Sequence, residues 1–307
     1  MLAAPPTRTH TATRISDSVP GRIAAEALAP AVVHGVYRSV VNVSMGDGLL
    51  SIASPANGGL PNGVLVDLGP DFRTLGLRPG MAVVATEGRI RVPAVALEID
   101  LADAIHWSPR LAPPQDGPPL AAHRWRRRAD LAWTMARARG TRGGLGALLW
   151  SDVRPADDLG AVRRAGPILD RLRAALLAGD SRATVLAAWG LIGLGPGLTP
   201  SGDDVLVGIE AALHALDDPA AGFLGDAIHH VDDRTTVVAA TLLRHAASGE
   251  FAERIHVLLA ALLGDVDAAV PAAIERAVAW GATSGTDCLL GVLLGLDIAG
   301  GTRRWPV

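Results

Sequence analysis

Gly193-Leu194-Gly195-Pro196-Gly197-Leu198-Thr199-Pro200-Ser201-Gly202-Asp203-Asp204 stands between two apolar runs, residues 185–192 before it and residues 205–209 after it. Four glycines and two prolines in twelve residues cannot continue a helix or a strand. Glycine takes positive φ or lets backbone approach closely, and proline fixes the turn. The stretch therefore predicts a tight glycine-rich loop that opens a helix near Asp203. Successive backbone N–H groups of such a turn, with the free N–H groups of the next helix, form an anion-binding nest. Thr199 and Ser201 add hydroxyl donors. Asp203 and Asp204 place carboxylates where the helix dipole favours them.

The same phrase returns near the end of the chain. Gly281-Ala282-Thr283-Ser284-Gly285-Thr286-Asp287-Cys288-Leu289-Leu290-Gly291 aligns with residues 197–208 once Pro200 is looped out. Ser201/Ser284, Gly202/Gly285, Asp204/Asp287, Leu206/Leu289 and Gly208/Gly291 then coincide. Two loop-to-helix corners of similar construction follow. Gly208 and Gly291 lie one turn into their helices, where each costs about 1 kcal/mol against alanine. Close helix crossing is the compensation that would bring the two corners together.

Two readings of the repeated tetrad stand side by side. Ser-x-x-Asp ahead of an apolar run is a capping box, with Ser201 capping and Asp204 returning the bond, and Ser284 and Asp287 doing the same. Capping leaves Gly195, Pro196, Gly197, Thr199 and Asp203 without a role, and leaves the duplication unexplained. The functional reading makes the loop an anion site.

Composition narrows the field. The 307 residues carry a net charge of -3 and are 4% aromatic, so neither a polyanion-binding surface nor a stacking platform for single strands is indicated. The single cysteine, Cys288, rules out an internal disulfide framework and suits a reducing cytoplasm, the compartment expected here. The chain has no lysine; every basic side chain apart from histidine is arginine. That excludes a Walker lysine, a Schiff-base lysine and a lysine general base. A bound phosphate must be held by backbone, hydroxyls, arginine or a metal.

Taken in order, the chain is expected to be α+β. A disordered Thr/Pro/Ala-rich tail (1–17) is followed by a β-rich domain (18–108) with a short helix near residues 15–28. Turn signals at Gly46-Asp47-Gly48, Pro61-Asn62-Gly63, Arg78-Pro79-Gly80 and Glu87-Gly88 separate short β-branched runs. That pattern suggests a small barrel or sandwich. His34, Tyr37 and Asn42 read as sheet residues. A proline-rich linker (109–119) leads to an α-helical domain (120–307). There Arg124, Arg126, Arg127 and Arg128 read as a solvated helix face, and a helix near residues 157–178 is interrupted at Gly166-Pro167. Thr141-Arg142-Gly143-Gly144-Leu145-Gly146 is a further glycine-rich turn that can join the site.

The candidate chemistry centres on the corners. Asp203, Asp204 and Asp287 are carboxylates of the kind Mg²⁺ takes together with waters and substrate phosphate, although no metal ligand set is fixed by the sequence. His229-His230 read as surface residues, and without a His-Glu-x-x-His or Cys-x-x-Cys motif a zinc site is not indicated. Cys288 reads as a small buried thiol.

With these motifs, the chain resembles the family of the AllH-type subunit of oxamate carbamoyltransferase. The likeness is strongest over residues 189–296 and extends to the β region at Asn42 and Asp47-Gly48. The resemblance implies a cytoplasmic protein that works in an oligomeric complex with two larger partner subunits in purine-derived ureide (allantoin) catabolism. The implied reaction is carbamoyl phosphate plus oxamate giving oxalurate plus phosphate. Carried onto this sequence, the family's motif positions are Gly195, Gly197, Thr199, Ser201, Asp203, Asp204, Thr283, Ser284 and Asp287, and the resemblance does not say which are catalytic. From the residues themselves, the catalytic candidates are Ser201, Asp203, Asp204 and Asp287. The substrate- or phosphate-binding candidates are Gly195, Gly197, Thr199, Ser201, Gly202, Thr283, Ser284 and Gly285. A non-catalytic anion-binding or scaffold subunit, and a stand-alone Mg-dependent hydrolase using the three aspartates, are the alternatives. Neither nucleic acid nor membrane is an expected partner.

Overall fold

The computed structural model describes residues 7–26, 29–112, 116–150 and 159–301. The chain divides into two compact units, residues 1–109 and 110–307.

The first unit is a closed β-barrel. Its strands are β1 (Arg8–Ser16), β2 (Ala31–Val36), β3 (Val40–Met45), β4 (Gly48–Ala53), β5 (Gly63–Val66), β6 (Ala82–Thr86), β7 (Arg89–Val92), β8 (Leu97–Asp100) and β9 (Ile105–Trp107). The first eight form the ring β5-β4-β3-β2-β6-β7-β8-β1, closed by antiparallel pairing of β1 with β5. Closure removes exposed sheet edges. Alternation sends Val33, Val41, Val43, Ile52, Val64, Ile90 and Ile99 into one core. The helix α1 (Ser18–Ala25) adds Val19 and Ile23 to it. The Gly46-Asp47 turn joins β3 to β4 as the sequence predicts, with Gly46 at φ 58°. Asn42 is a buried sheet residue, as expected: it accepts the Ser51 hydroxyl at 2.9 Å, and Ser51 in turn accepts the Asn62 amide at 3.1 Å.

The expected disordered tail is corrected by β1. Residues 8–11 pair with β8, residues 12–15 with β5 and residues 14–16 with β9. A run dense in threonine and arginine looks unfolded in isolation. Here Thr9, Thr11 and Thr13 sit on the half-solvated face of a strand while Ala12 and Ile15 fill the core. The short helix correspondingly starts at Ser18, not near residue 15.

The second unit is helical: α2 (Pro118–Arg139), α3 (Leu159–Ala178), α4 (Ser181–Leu191), α5 (Ser201–Ala215), α6 (Ala220–His229), α7 (Val237–Ala247), α8 (Glu253–Leu263), α9 (Ala269–Val278) and α10 (Ser284–Ala299). Three expectations change. Pro118 and Pro119, assigned to the linker, form the first turn of α2, where a missing N–H costs nothing. Residues 113–115 of that linker lie outside the described residues. Second, α3 runs through Pro167 without interruption, and residues 151–158, which include the expected start of that helix, are also outside the described set. Third, the arginine cluster is a solvated face only in part: Arg126 and Arg127 are exposed, but three of the four arginines are engaged. Arg128 is buried and reaches Asp267 at 2.5 Å and the Gly264 carbonyl; Arg124 pairs with Asp116 and Asp265; Arg126 donates to the Gly300 carbonyl. Arg124, Arg126 and Arg128 fasten α2 to the segments after α8 and α10.

At the centre lie α5 and α10. Residues 285–298 are buried without a break, the signature of a helix surrounded on all sides. They cross at Gly208 and Gly291. A Cβ on Gly208 would stand 2.2 Å from the Cys288 carbonyl oxygen and 2.7 Å from the Val292 nitrogen. One on Gly291 would stand 2.1 Å from the Val205 carbonyl oxygen. No side chain fits, so backbone meets backbone. Asp297, buried on α10, accepts both indole N–H groups of α2, from Trp125 at 3.1 Å and Trp133 at 3.2 Å.

Candidate functional site

The glycine crossing sets the two helix starts side by side, and side-chain hydrogen bonds join them. Thr199 Oγ1 and Ser284 Oγ lie 2.9 Å apart. The capping box does not form. The residues preceding the helices, Pro200 and Thr283, make no side-chain cap bond, and the tetrads exchange partners. The Ser284 hydroxyl faces the Asp204 carboxyl of the first corner, and the Ser201 hydroxyl faces the Asp287 carboxyl of the second. Each serine serves the other helix's aspartate, which is a contact no local reading contains.

The corners form two layers. Thr199, Thr283 and Ser284 are half-buried, whereas Ser201, Gly202, Asp203, Asp204, Gly285 and Asp287 are buried beneath them. Gly195 is half-buried in the loop and Gly197 is at its exposed tip, at φ 118° and 99°. Five amides of the predicted nest are committed within the chain: Gly193 N–H donates to Asp203 Oδ1 at 2.9 Å, Leu194 N–H to the Leu191 carbonyl, Gly202 N–H to the Leu194 carbonyl, and Asp203 and Asp204 N–H to the Pro200 carbonyl. Asp203 Oδ2 accepts the Thr235 hydroxyl at 2.5 Å, and the Thr236 hydroxyl donates to the Leu198 carbonyl. Asp203 thus ties the loop to the segment entering α7.

A third strip covers the second corner. Thr141 N–H donates to Thr286 Oγ1 at 3.0 Å, and Gly146 N–H to Asp287 Oδ1 at 2.6 Å. Gly144 sits at φ 59°, and a Cβ there would lie 2.5 Å from Asp287 Oδ2 and 2.6 Å from Ser201 Oγ. The glycine-rich turn at residues 141–146 therefore belongs to this cluster, as its composition suggests.

Burial dominates the electrostatics. It lifts the Asp204 carboxyl well above the usual carboxylate range; the hydroxyls of Ser284 and Thr199 oppose this, and Asp287 and Asp203 add to it by like-charge repulsion. Burial also raises Asp203 and Asp287 to about 6, against their hydroxyl and backbone donors. Asp204 Oδ2 and Asp287 Oδ2 are buried without a hydrogen-bond partner among the described residues. Orphaned acceptors of this kind are costly unless a proton or a ligand meets them.

Arg254 was not singled out from the sequence. Its guanidinium lies 3.9 Å from the centre of the Trp280 ring, and its charge acts on both Cys288 and Asp204. Burial lowers it to about 10. It is a cation held beside both helix starts by α8, an element whose local sequence carries no glycine or motif to flag it. Cys288 is buried, and burial pushes its thiol up, so the helix start does not activate it.

Among the described residues no group of three or more His, Cys, Asp or Glu side chains is arranged to hold a metal ion. His229 and His230 are exposed, as expected.

Residues 191–296 match the family described as oxamate carbamoyltransferase subunit AllH, and residues 11–106 match the AllH family N-terminal domain. The chain belongs to the AllH family. The first match spans both corners and Arg254, and the second spans nearly the whole barrel. The N-terminal match falls within the first unit and the other within the second. No solved structure matches. Among the described residues, no helix is long and apolar enough to cross a membrane.

Proposed function

We propose that this AllH-family chain acts as a subunit of a carbamoyltransferase that uses carbamoyl phosphate and oxamate, and that the joined corners bind the phosphoryl end of carbamoyl phosphate. The observation that carries this reading is the 2.9 Å Thr199–Ser284 contact, which turns two helix N-termini into one positively polarised spot. Thr199, Thr283 and Ser284 supply hydroxyl donors at its surface, Gly195 and Gly197 keep the loop backbone approachable, and Arg254 supplies a fixed cation.

In the transfer, the acceptor's amide nitrogen bonds to the carbamoyl carbon. The carbon–oxygen bond to phosphate breaks, phosphate leaves with the bonding pair, and the nitrogen gives up a proton. Two carboxyls held at different pKa values suit the two proton movements. Asp204, whose carboxyl burial lifts well above the usual carboxylate range, acts through Ser284 on the leaving group. Asp287, ionised above about 6, draws a proton through Ser201. Gly202 and Gly285 keep the first turns close-packed, and Asp203 is a positioning residue for the loop. The larger partner subunits and the cytoplasmic setting belong to the same proposal.

Calorimetric titration of carbamoyl phosphate and inorganic phosphate tests this, on the chain alone and on its assembled complex. Asp204→Asn and Asp287→Asn should each weaken phosphate binding while barely changing thermal stability. The double variant should fall short of additivity, because residues sharing one ligand are coupled. Additive losses of stability with unchanged affinity would return the corners to a structural role.

A further inference from the structure

The glycine-rich loop has a second face. Between α3, the end of α4 and residues 193–196 lies an open cleft of about 570 Å³, lined by Ala161, Arg164, Trp189, Ile192 and the loop itself. This is the size of a small-molecule site. Arg164 is exposed on α3 and has no ion pair among the described residues. Trp189 is fixed by its indole N–H, which donates to the Ala227 carbonyl at 3.2 Å, and its ring is covered by the Arg234 guanidinium at 3.9 Å. The Arg164 guanidinium thus lines the cleft beside a tryptophan held in place by Arg234.

The cleft and the corners share a wall. A Cβ on Gly195 would stand 2.9 Å from the Ser201 nitrogen and 3.3 Å from Ser201 Oγ. Gly195 thus lies on a rim common to the cleft and the first turn of α5.

We propose that this cleft is a second oxyanion subsite, which takes the carboxylate of the acceptor substrate, a small organic acid bearing an amide. The inference rests on the carbamoyl-transfer reading above and extends it. A transfer between two anions needs both held close yet separately neutralised, since like charges at contact repel. Arg254 serves the corners and Arg164 serves the cleft. An exposed guanidinium fork matches a planar carboxylate through two parallel hydrogen bonds, whereas the corner, with hydroxyl donors arranged around two helix starts, suits a tetrahedral phosphoryl group. The apolar lining at Ala161, Ile192 and Leu194 leaves room for the remainder of the acid.

Titration calorimetry on the full chain, with oxamate and inorganic phosphate as separate probes, tests the assignment. Trp189 fluorescence, identified by subtraction of Trp189→Phe, provides a second readout. Arg164→Met should weaken oxamate binding roughly tenfold or more and leave phosphate affinity within twofold. Ser284→Ala should do the reverse. Arg164 is exposed, and an unchanged circular-dichroism melt verifies that Arg164→Met folds. Oxamate affinity unaffected by Arg164→Met, or phosphate binding without any oxamate binding, overturns the subsite while leaving the corner reading intact. Loss of both ligands on Ser284→Ala with none on Arg164→Met places both anions at the corner and also overturns it. Absence of binding by either ligand overturns both readings.

Discussion

Gly208→Ala tests the geometry on which the site depends. In an ordinary helix interior this substitution stabilises by about 1 kcal/mol, because alanine is the better helix former. At this crossing the new methyl would lie 2.2 Å from the Cys288 carbonyl oxygen and 2.9 Å from the Gly291 Cα. Contact at the ordinary limit of 3.4 Å requires α5 and α10 to part by roughly 1 Å. The obstructing atoms are backbone, so no side chain can swing aside. Overpacking of this kind costs about 3 kcal/mol, at the upper end of its usual range, and the propensity gain offsets only a third of that. The net expectation is a loss of about 2 kcal/mol, or roughly 4–8 °C in Tm for a unit of this size. The same separation would stretch the 2.9 Å Thr199–Ser284 contact beyond hydrogen-bonding reach, so ligand affinity should fall with stability. Urea denaturation followed by circular dichroism, with phosphate titration on the folded variant, measures both. A variant as stable as the wild type, or more stable, would falsify the crossing as the device that joins the corners.

Two further outcomes follow from buried carboxylates. Asp203 has a folded pKa of about 6 against an ordinary 3.8, so its contribution to stability is fully present below about pH 4 and is lost as pH rises through about 6. Urea midpoints at several pH values should show the wild type losing ground to Asp203→Asn across that window and holding level above it; a pH-independent difference contradicts the assignment. Asp297→Ala strands two buried indole N–H groups, each costing about 1–3 kcal/mol, and should destabilise the helical unit by roughly 3 kcal/mol. A loss under 1 kcal/mol in thermal or chemical denaturation would show that water replaces the carboxylate.

Much of this protein is written locally. Turn residues at Gly46-Asp47 and the β-branched runs around them predict a small barrel because strand pairing of near neighbours needs little more than a turn and an alternating face. The duplicated Ser-Gly-x-Asp phrase predicts two matching helix starts, and glycines at equivalent positions predict their crossing, since an interior glycine makes sense only where something must come close. Contacts between distant segments had no such signal. The polar residues 8–16 become a strand only because β5, β8 and β9 supply partners. Arg128 becomes a buried clamp only because the chain end of α8 presents a carbonyl and Asp267. The tetrads read as self-contained caps, yet in the folded chain each serine turns to the other helix's aspartate, and Arg254 arrives from a third element. Periodicity and turn chemistry act over a few residues and can be read from the order of the chain. The pairing of a buried charge is decided by whichever donor packing brings within hydrogen-bond distance, and that choice exists only once the helices have crossed.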